Sequence, residues 1–278
     1  MRYTADIAVA PEDPFGNRVI EQTFALNALD GYTEVHSRFA NGGTDQATFF
    51  YDNPADPTQV SRITHTYASW PAQIDLTYDA CGRMIADSLG RQLTWDAQSR
   101  LARVDYQGQR CDYRYGPSGE LIDRVLDGAL TRCFFSGDLL THEQTSKEVQ
   151  QCIGDSGTLF ALNRITEGVR KVTLIGCDAQ RSVRVEADDT LRTRRYSAHG
   201  AETEAAGNGP YGYVGERREP LTGWYIPGGN RPYDPMVMGF LSPDDESPFG
   251  RGGSIAMPTA GAIRSTASIQ TAMPGGHG

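Results

Sequence analysis

The chain has 278 residues, a formal net charge of −9 and five cysteines, with a mean hydropathy of −0.47. That length can bury one large core or two smaller ones. The acidic balance excludes a phosphate-binding face, which needs a local excess of Lys and Arg, so no nucleic-acid partner is expected.

The cysteines (Cys81, Cys111, Cys133, Cys152 and Cys177) are odd in number, widely spaced and without a C-x-x-C pair. This excludes a disulfide framework and a zinc site and predicts reduced thiols buried as small hydrophobes. The histidines are dispersed, and His65 and His199 adjoin turns, which marks them as structural or surface residues. No metal and no cofactor is expected. The phosphate-loop, nucleophile-elbow and Cys/His nucleophile patterns are all missing. Residues 1–10 carry Arg2 and Asp6 and make no Sec signal peptide. No apolar run is long enough to span a bilayer. The basic clusters Arg192-Thr193-Arg194-Arg195 and Arg217-Arg218 lie among carboxylates and are read as solvated or salt-bridged.

Abundant Gly and Tyr, with recurring Asp-Gly and Asn-Gly pairs, predict many short strands joined by tight turns. From about residue 31 a strand, a turn and a returning strand follow one another. The pattern is clearest in 109–115, and it repeats at Tyr78-Asp79-Ala80-Cys81-Gly82-Arg83-Met84, then Trp95-Asp96-Ala97-Gln98-Ser99-Arg100-Leu101, then Tyr115-Gly116-Pro117-Ser118-Gly119-Glu120-Leu121. An aromatic ends one strand, Asp caps the turn, Gly supplies the backbone angle, and an apolar residue six places on starts the return. Weaker echoes stand at Cys177-Asp178-Ala179 and Tyr196-Ser197-Ala198-His199-Gly200. Between the repeats, strand 101–106 alternates Ala102, Val104 and Tyr106 against Arg103 and Asp105. Strand 109–115 alternates Cys111, Tyr113 and Tyr115 against Arg110, Asp112 and Arg114. Gln107-Gly108 and Asp127-Gly128 are predicted two-residue hairpin turns. The aromatic stripe of Tyr113, Tyr115 and Phe134 is read as inter-strand packing. One such unit cannot bury its own face, so units must stack into a larger sheet.

The first repeat matches Y-D-x-x-G-R-[LM], the YD repeat of the RHS family. Further on, Tyr213-Val214-Gly215-Glu216-Arg217-Arg218-Glu219-Pro220-Leu221-Thr222-Gly223-Trp224-Tyr225 resembles the RHS-associated core signature. Tyr233-Asp234-Pro235, Gly239-Phe240-Leu241-Ser242-Pro243-Asp244 and Ser247-Pro248-Phe249-Gly250-Arg251-Gly252-Gly253 resemble the segment after it. The last run, with Asn53-Pro54-Ala55-Asp56-Pro57 and Ile63-Thr64-His65, is most similar to the C component (TccC type) of bacterial insecticidal Tc toxin complexes.

That resemblance implies an all-β fold in which YD hairpins form part of a spiral β-sheet shell around a toxic polypeptide. It further implies a core acting as an aspartyl autoprotease. The expected divisions are a partial strand region over 1–30, a YD-repeat segment over 31–205, the RHS-associated core over 206–253 and a tail over 254–278. The expected partners are the remainder of the shell and a B-type Tc component. The protein is then made in the cytoplasm and leaves only within a toxin complex.

An aspartyl pair works by sharing a proton between two close carboxylates. The residues that carry over to such a site are Arg218, Glu219 and Asp234, with Asp244 and Asp245 further candidates. Glu219 stands where the family has Asp and is one methylene longer, enough to misplace a catalytic oxygen. Arg218 would orient a carboxylate. The competing reading is a structural salt-bridge network of Arg217, Arg218 and Glu219, and a solvated acidic loop at Asp244-Asp245-Glu246. Shell component, active autoprotease and non-functional remnant of a toxin gene are therefore the three functional readings, with an encapsulating shell component leading.

Two expectations concern the ends. Pro11-Glu12-Asp13-Pro14-Phe15-Gly16-Asn17 looks like the interior of a family member, so the first strand should present an unpaired edge. In the tail, joining each codon's third base to the next two bases permits N-x-Y-A-Y-C-G-G-D-P-I-N-R-I-D-P-N-G-H, which resembles the family's own ending. The tail is accordingly expected to be that ending read in another frame, and disordered; the competing reading is an unrelated low-complexity tail.

Overall fold

Short strands and tight turns build one 18-stranded antiparallel sheet, followed by a two-stranded ladder. The computed structural model describes all residues except 55, 138, 156, 203–208, 227–230 and 245–278. Asp245, Glu246, Gly228, Gly229, Asn230, the 247–253 run and the 254–278 tail thus lie outside the described residues.

The sheet opens with β1 (Arg2–Thr4), β2 (Val19–Leu26), β3 (Tyr32–Phe39), β4 (Thr44–Phe50), β5 (Arg62–Thr64) and β6 (Gln73–Tyr78). It continues through β7 (Met84–Asp87), β8 (Gln92–Trp95), β9 (Leu101–Tyr106), β10 (Gln109–Tyr115), β11 (Leu121–Leu126) and β12 (Ala129–Ser136). β13 (Leu139–Gln144), β14 (Glu148–Asp155), β15 (Thr158–Thr166), β16 (Val169–Cys177), β17 (Val183–Ala187) and β18 (Leu191–Thr193) close it. Every strand pairs antiparallel with the next in sequence, so hairpins alone generate the sheet. Among the described residues β1 has a register partner only in β2. No helix of the described residues is long and apolar enough to cross a membrane.

Gln107 and Gly108 have φ of 52° and 77°, and Asp127 and Gly128 46° and 84°. Two successive positive φ values are the type I′ geometry that matches the twist of paired strands.

The repeat turn has its own construction. In the first copy, the Asp79 carboxylate accepts the backbone N–H of Cys81 at 2.9 Å and of Arg83 at 3.0 Å, while Arg83 Nε donates to it at 2.7 Å. Asp96 holds Gln98, Arg100 and the Arg100 guanidinium in the same way, with Ser99 taking the positive φ of 60°. The third copy lacks the Asp, and Glu120 replaces it from the other end of the turn. Its carboxylate reaches back to accept Ser118 N–H at 3.1 Å and occupies the space where a side chain at 116 would stand, which explains Gly116.

Immediately after the turn the ladder skips one residue: Ile85, Ala102 and Ile122 are bulged out opposite Tyr78, Trp95 and Tyr115. A bulge frees the preceding residue from strict alternation. Met84, Leu101 and Leu121 therefore all turn into the core, 0 %, 0 % and 3 % exposed. For Leu101 this corrects the simple alternation of strand 101–106, which puts it on the side of Arg103. The carbonyl at the bulge needs a partner outside the ladder. The next repeat supplies it: Trp95 Nε1 donates to Met84 O at 2.7 Å and Tyr115 OH to Leu101 O at 2.8 Å. Tyr51 to Tyr32 O, Tyr78 to Val60 O and Tyr196 to Val183 O repeat the link at 2.9, 2.9 and 2.8 Å. The turns before Met84 and Leu101 are thereby completed by the repeat that follows each.

The buried face of the sheet packs on the segment after β18. Trp224, Ile226, Met236, Val237 and Leu241 join strand residues such as Ile63, Ile74, Leu93 and Val104 in one apolar cluster. Burying a Trp, some 150–250 Å², contributes roughly 4–6 kcal/mol at about 25 cal/mol per Å². Within this inner segment β19 (Tyr233–Asp234) pairs with β20 (Gly239–Phe240).

Candidate functional site

The inner segment enters through a single-turn 3-10 helix, Tyr213–Gly215, and then presents Arg217, Arg218 and Glu219. Antiparallel bridges Tyr211 to Arg217 and Arg218 to Tyr225 fold it back on itself. In an extended segment neighbouring side chains point oppositely, and the three consecutive residues accordingly find three different partners.

Arg217 is buried and reaches the sheet. Its guanidinium donates to Glu143 on β13 at 2.5 Å and lies 3.4 Å from the Cys133 sulfur on β12. Burial works against its charge, but Glu143 outweighs that and raises its ionisation. Burial pushes the Cys133 thiol up, so it is held protonated beside the ion pair. Arg218 lies 2.8 Å from Glu202. Glu202 in turn holds the fully buried Arg194 at 2.7 Å, and Tyr225 OH donates to it at 3.3 Å.

Glu219 is 1 % exposed. Its carboxylate accepts the backbone N–H of Leu221 at 2.8 Å, that of Thr222 at 2.5 Å and the Thr222 hydroxyl at 2.6 Å. Tyr113 OH on β10 donates to the other oxygen. Burial, then the adjacent carboxylate, push the Tyr113 phenol well above the tyrosine range, which keeps it a donor. The recess beside these groups measures about 10 Å³ and is lined by Tyr113, Arg124, Arg217, Arg218 and Glu219 among others. That volume holds about one water molecule.

Asp234, also 1 % exposed, is bound elsewhere. It pairs with Arg91 at 2.7 Å and accepts Met236 N–H at 2.8 Å. Arg91 is itself held by Asp87 and lies 4.9 Å from the Trp224 ring centroid. Asp244 pairs with Arg231 at 2.5 Å. Of the residues singled out in the sequence, Arg218, Glu219 and Asp234 are therefore gathered in one buried segment, each bound by its own partner: Glu202, Tyr113 and Arg91. Within the basic cluster Arg194 is buried in ion pairs with Glu186 and Glu202, the salt-bridged alternative of the sequence reading.

Arg91, Glu143 and Glu202 are the site residues that the sequence reading passed over. For Arg91 a signal was present, since Asp87-Ser88-Leu89-Gly90-Arg91 has the D-x-x-G-R spacing of the repeat without its aromatic. Glu143 carried no signal, because its role depends on a partner 74 residues away. Of the turn-adjacent histidines, His199 is buried and sits between Phe24 and Tyr32, and His65 pairs through its covered side chain with Asp45 at 2.8 Å. All five cysteines are free, Cys111 and Cys133 buried as expected and Cys81 exposed. Among the described residues no group of His, Cys, Asp or Glu could hold a metal.

Comparison of the whole structure with solved ones supplies the relationship. The crystal structure of TcdB2-TccC3 matches 96% of this chain with a TM-score of 0.57 at 16% identity, and that of TcdB2-TccC3-TEV matches 87% with 0.56 at 16%. The fold is similar to that of part of TcdB2-TccC3. This chain spans 16% of the length of each of those chains. In sequence, it is 29% identical over 187 residues to the tRNA3(Ser)-specific nuclease WapA of Bacillus spizizenii, covering 62% of this chain and 8% of that protein. No family model matches the chain.

Proposed function

We propose that this chain is a section of the RHS/YD-repeat shell of a Tc-like toxin, an encapsulating part and not a catalyst on outside substrates. The observation that carries the reading is the link from each aromatic to the carbonyl of the preceding turn. A unit completed only by its neighbour belongs to an extendable strip, and a strip is what a shell is wound from. The similarity to TcdB2-TccC3 and to WapA supports the same class.

On this reading the inner segment, the counterpart of the RHS-associated core, anchors the strip. Buried pairs Arg217–Glu143 and Arg91–Asp234 tie it to β13 and to the β7–β8 turn, and Glu219 serves as a turn cap. Arg218, Glu219 and Asp234 then have structural roles, and the core does not cleave itself. The partners are the remainder of the shell and a B-type Tc component. Co-expression with such a component and the rest of the shell tests this: a stable complex on size exclusion is expected, and separate elution of this chain would overturn it.

A further inference from the structure

We propose that His199 is an acid-sensitive latch between the two ends of the strip, and that its protonation lets the β1–β3 end swing away from the turn after β18. The turn, 196–201, follows the last strand of the sheet, yet the His199 ring packs on Phe24 of β2 and Tyr32 of β3, with ring centroids 5.1 and 5.2 Å apart. The first and last strands therefore meet through this side chain. Tyr3 on β1 likewise lies within the field of Arg184 on β17. Among the described residues β1 has its register partner in β2 and β18 in β17, so side chains and not a ladder close the seam.

The turn is fixed on one side of the seam. Tyr213 OH donates to Ala198 O and Tyr225 OH to Gly200 O, each at 3.0 Å, and Tyr233 OH lies 3.4 Å from His199 Nδ1. The ion pairs that anchor the inner segment reach Glu143 on β13, Arg91 before β8 and Glu202. Among the described residues none of them reaches β1, β2 or β3. This end of the strip can thus leave the inner segment without breaking a buried ion pair.

His199 is 2 % exposed, and what faces it is uncharged. Phe24 and Tyr32 meet it from the sheet and Tyr233 from the β19–β20 ladder; burial pushes the Tyr32 phenol up to about 12 and that of Tyr233 well above the tyrosine range. The charged groups of β2 and β3 alternate to the other face: Glu21 pairs in register with Arg38, Thr23 with His36 and Ala25 with Glu34, while Phe24 pairs with Val35. On the side of the turn, Glu202 is taken by Arg194 and Arg218, and Asp234 by Arg91. An imidazolium formed here meets no free carboxylate, and an unpaired buried charge is strongly unfavourable. Burial accordingly lowers His199 from 6.5 to about 4. Opening the seam returns the ring to water and to its ordinary value. The open form then binds the proton more tightly, so the closed seam is fully favoured above about pH 6.5 and loses ground as pH falls towards 4. Between pH 7.5 and pH 5 the ratio of open to closed rises by about 30-fold.

The test is a distance measured across the seam. In the full-length chain carrying Cys81→Ser, which removes the exposed thiol, spin labels are placed through His36→Cys on β3 and Asp189→Cys between β17 and β18, both exposed positions. Electron–electron double resonance reads their separation. One distance is expected at pH 7.5 and a second, longer one at pH 5, with its population following the uptake of a single proton and reversing on return to pH 7.5. His199→Phe keeps an aromatic ring and His199→Gln a polar side chain, and neither titrates. Both should hold the shorter distance at pH 5. An unchanged distance in the chain with His199 would overturn the proposal. So would a transition that takes up two or more protons, or a lengthening at pH 5 that persists in either variant showing the shorter distance at pH 7.5.

Discussion

The hydroxyl of Tyr113 on β10 donates to the carboxylate of Glu219, 106 residues later in the chain. This bond joins the repeat sheet to the inner segment where the resemblance to an autoprotease core is strongest in sequence. It also places the phenol, in the face expected to serve strand packing, at the centre of the candidate site.

Removing either partner should weaken folding more than a surface change. Tyr113→Phe leaves Glu219 with one oxygen uncompensated, and a cost of about 1.5–3 kcal/mol is expected, as for hydrogen bonds to charged groups. Glu219→Ala strands two backbone N–H groups as well and should cost more. Glu219→Asp should fall between them, because its shorter arm cannot reach both Tyr113 and the turn. Urea denaturation measures all three; a Glu219→Ala midpoint equal to wild type would rule out the capping role.

Breaking the Arg91–Asp234 pair should be costly because Arg91 is buried at 5 % exposure. Asp234→Ala is expected to destabilise by less than the about 3–5 kcal/mol that an unpaired buried charge costs, because Asp87 still pairs with Arg91. Incubated for days, the wild-type chain should remain a single band on a gel. A time-dependent fragment abolished by Asp234→Asn or Glu219→Gln, in proteins shown to be folded, would restore the protease reading.

The links between turns should be separable one by one. Tyr115→Phe removes the bond to Leu101 O while keeping the ring, and about 1–2 kcal/mol of destabilisation is expected. Asp96→Ala releases two backbone N–H groups and the Arg100 guanidinium and should cost at least as much. Amide exchange at Gln98 and Arg100 should quicken in Asp96→Ala before it does elsewhere; uniform acceleration across the sheet would contradict a local cap.

Buried His199 and part-buried Glu216 make stability depend on pH with opposite signs. Burial lowers His199 from 6.5 to about 4, so the unfolded chain binds its proton first and stability rises as pH climbs from about 4 to 6.5. Burial raises Glu216 from 4.5 to about 7, so the folded chain binds the extra proton and stability falls as pH climbs from about 4.5 to 7. The two nearly cancel between about 4.5 and 6.5, giving a plateau and then a decline towards pH 7. In Glu216→Gln the decline should vanish and stability should climb to about pH 6.5. Melting temperatures across pH 4–8 check this, and an identical profile for the variant would refute it.

The sequence by itself determined the all-β class and the hairpin turns. It also marked the repeat units, because these are local properties: two-residue periodicity, glycine or a tolerant residue at positive φ, and an Asp that caps its own turn within four residues. Even the weak echo at Tyr196 obeys the rule, donating to Val183 O as stronger copies do. The tertiary structure alone decided what the repeats are for. Bulges at Ile85, Ala102 and Ile122 are invisible to simple alternation, yet they turn Met84, Leu101 and Leu121 inward and expose the carbonyls that the next turn needs. The fates of Glu219, Arg217 and Asp234 were equally beyond the sequence. A carboxylate's role is set by its nearest charge or donor, and here those are Tyr113, Glu143 and Arg91, brought close only when the strip packs on its inner segment.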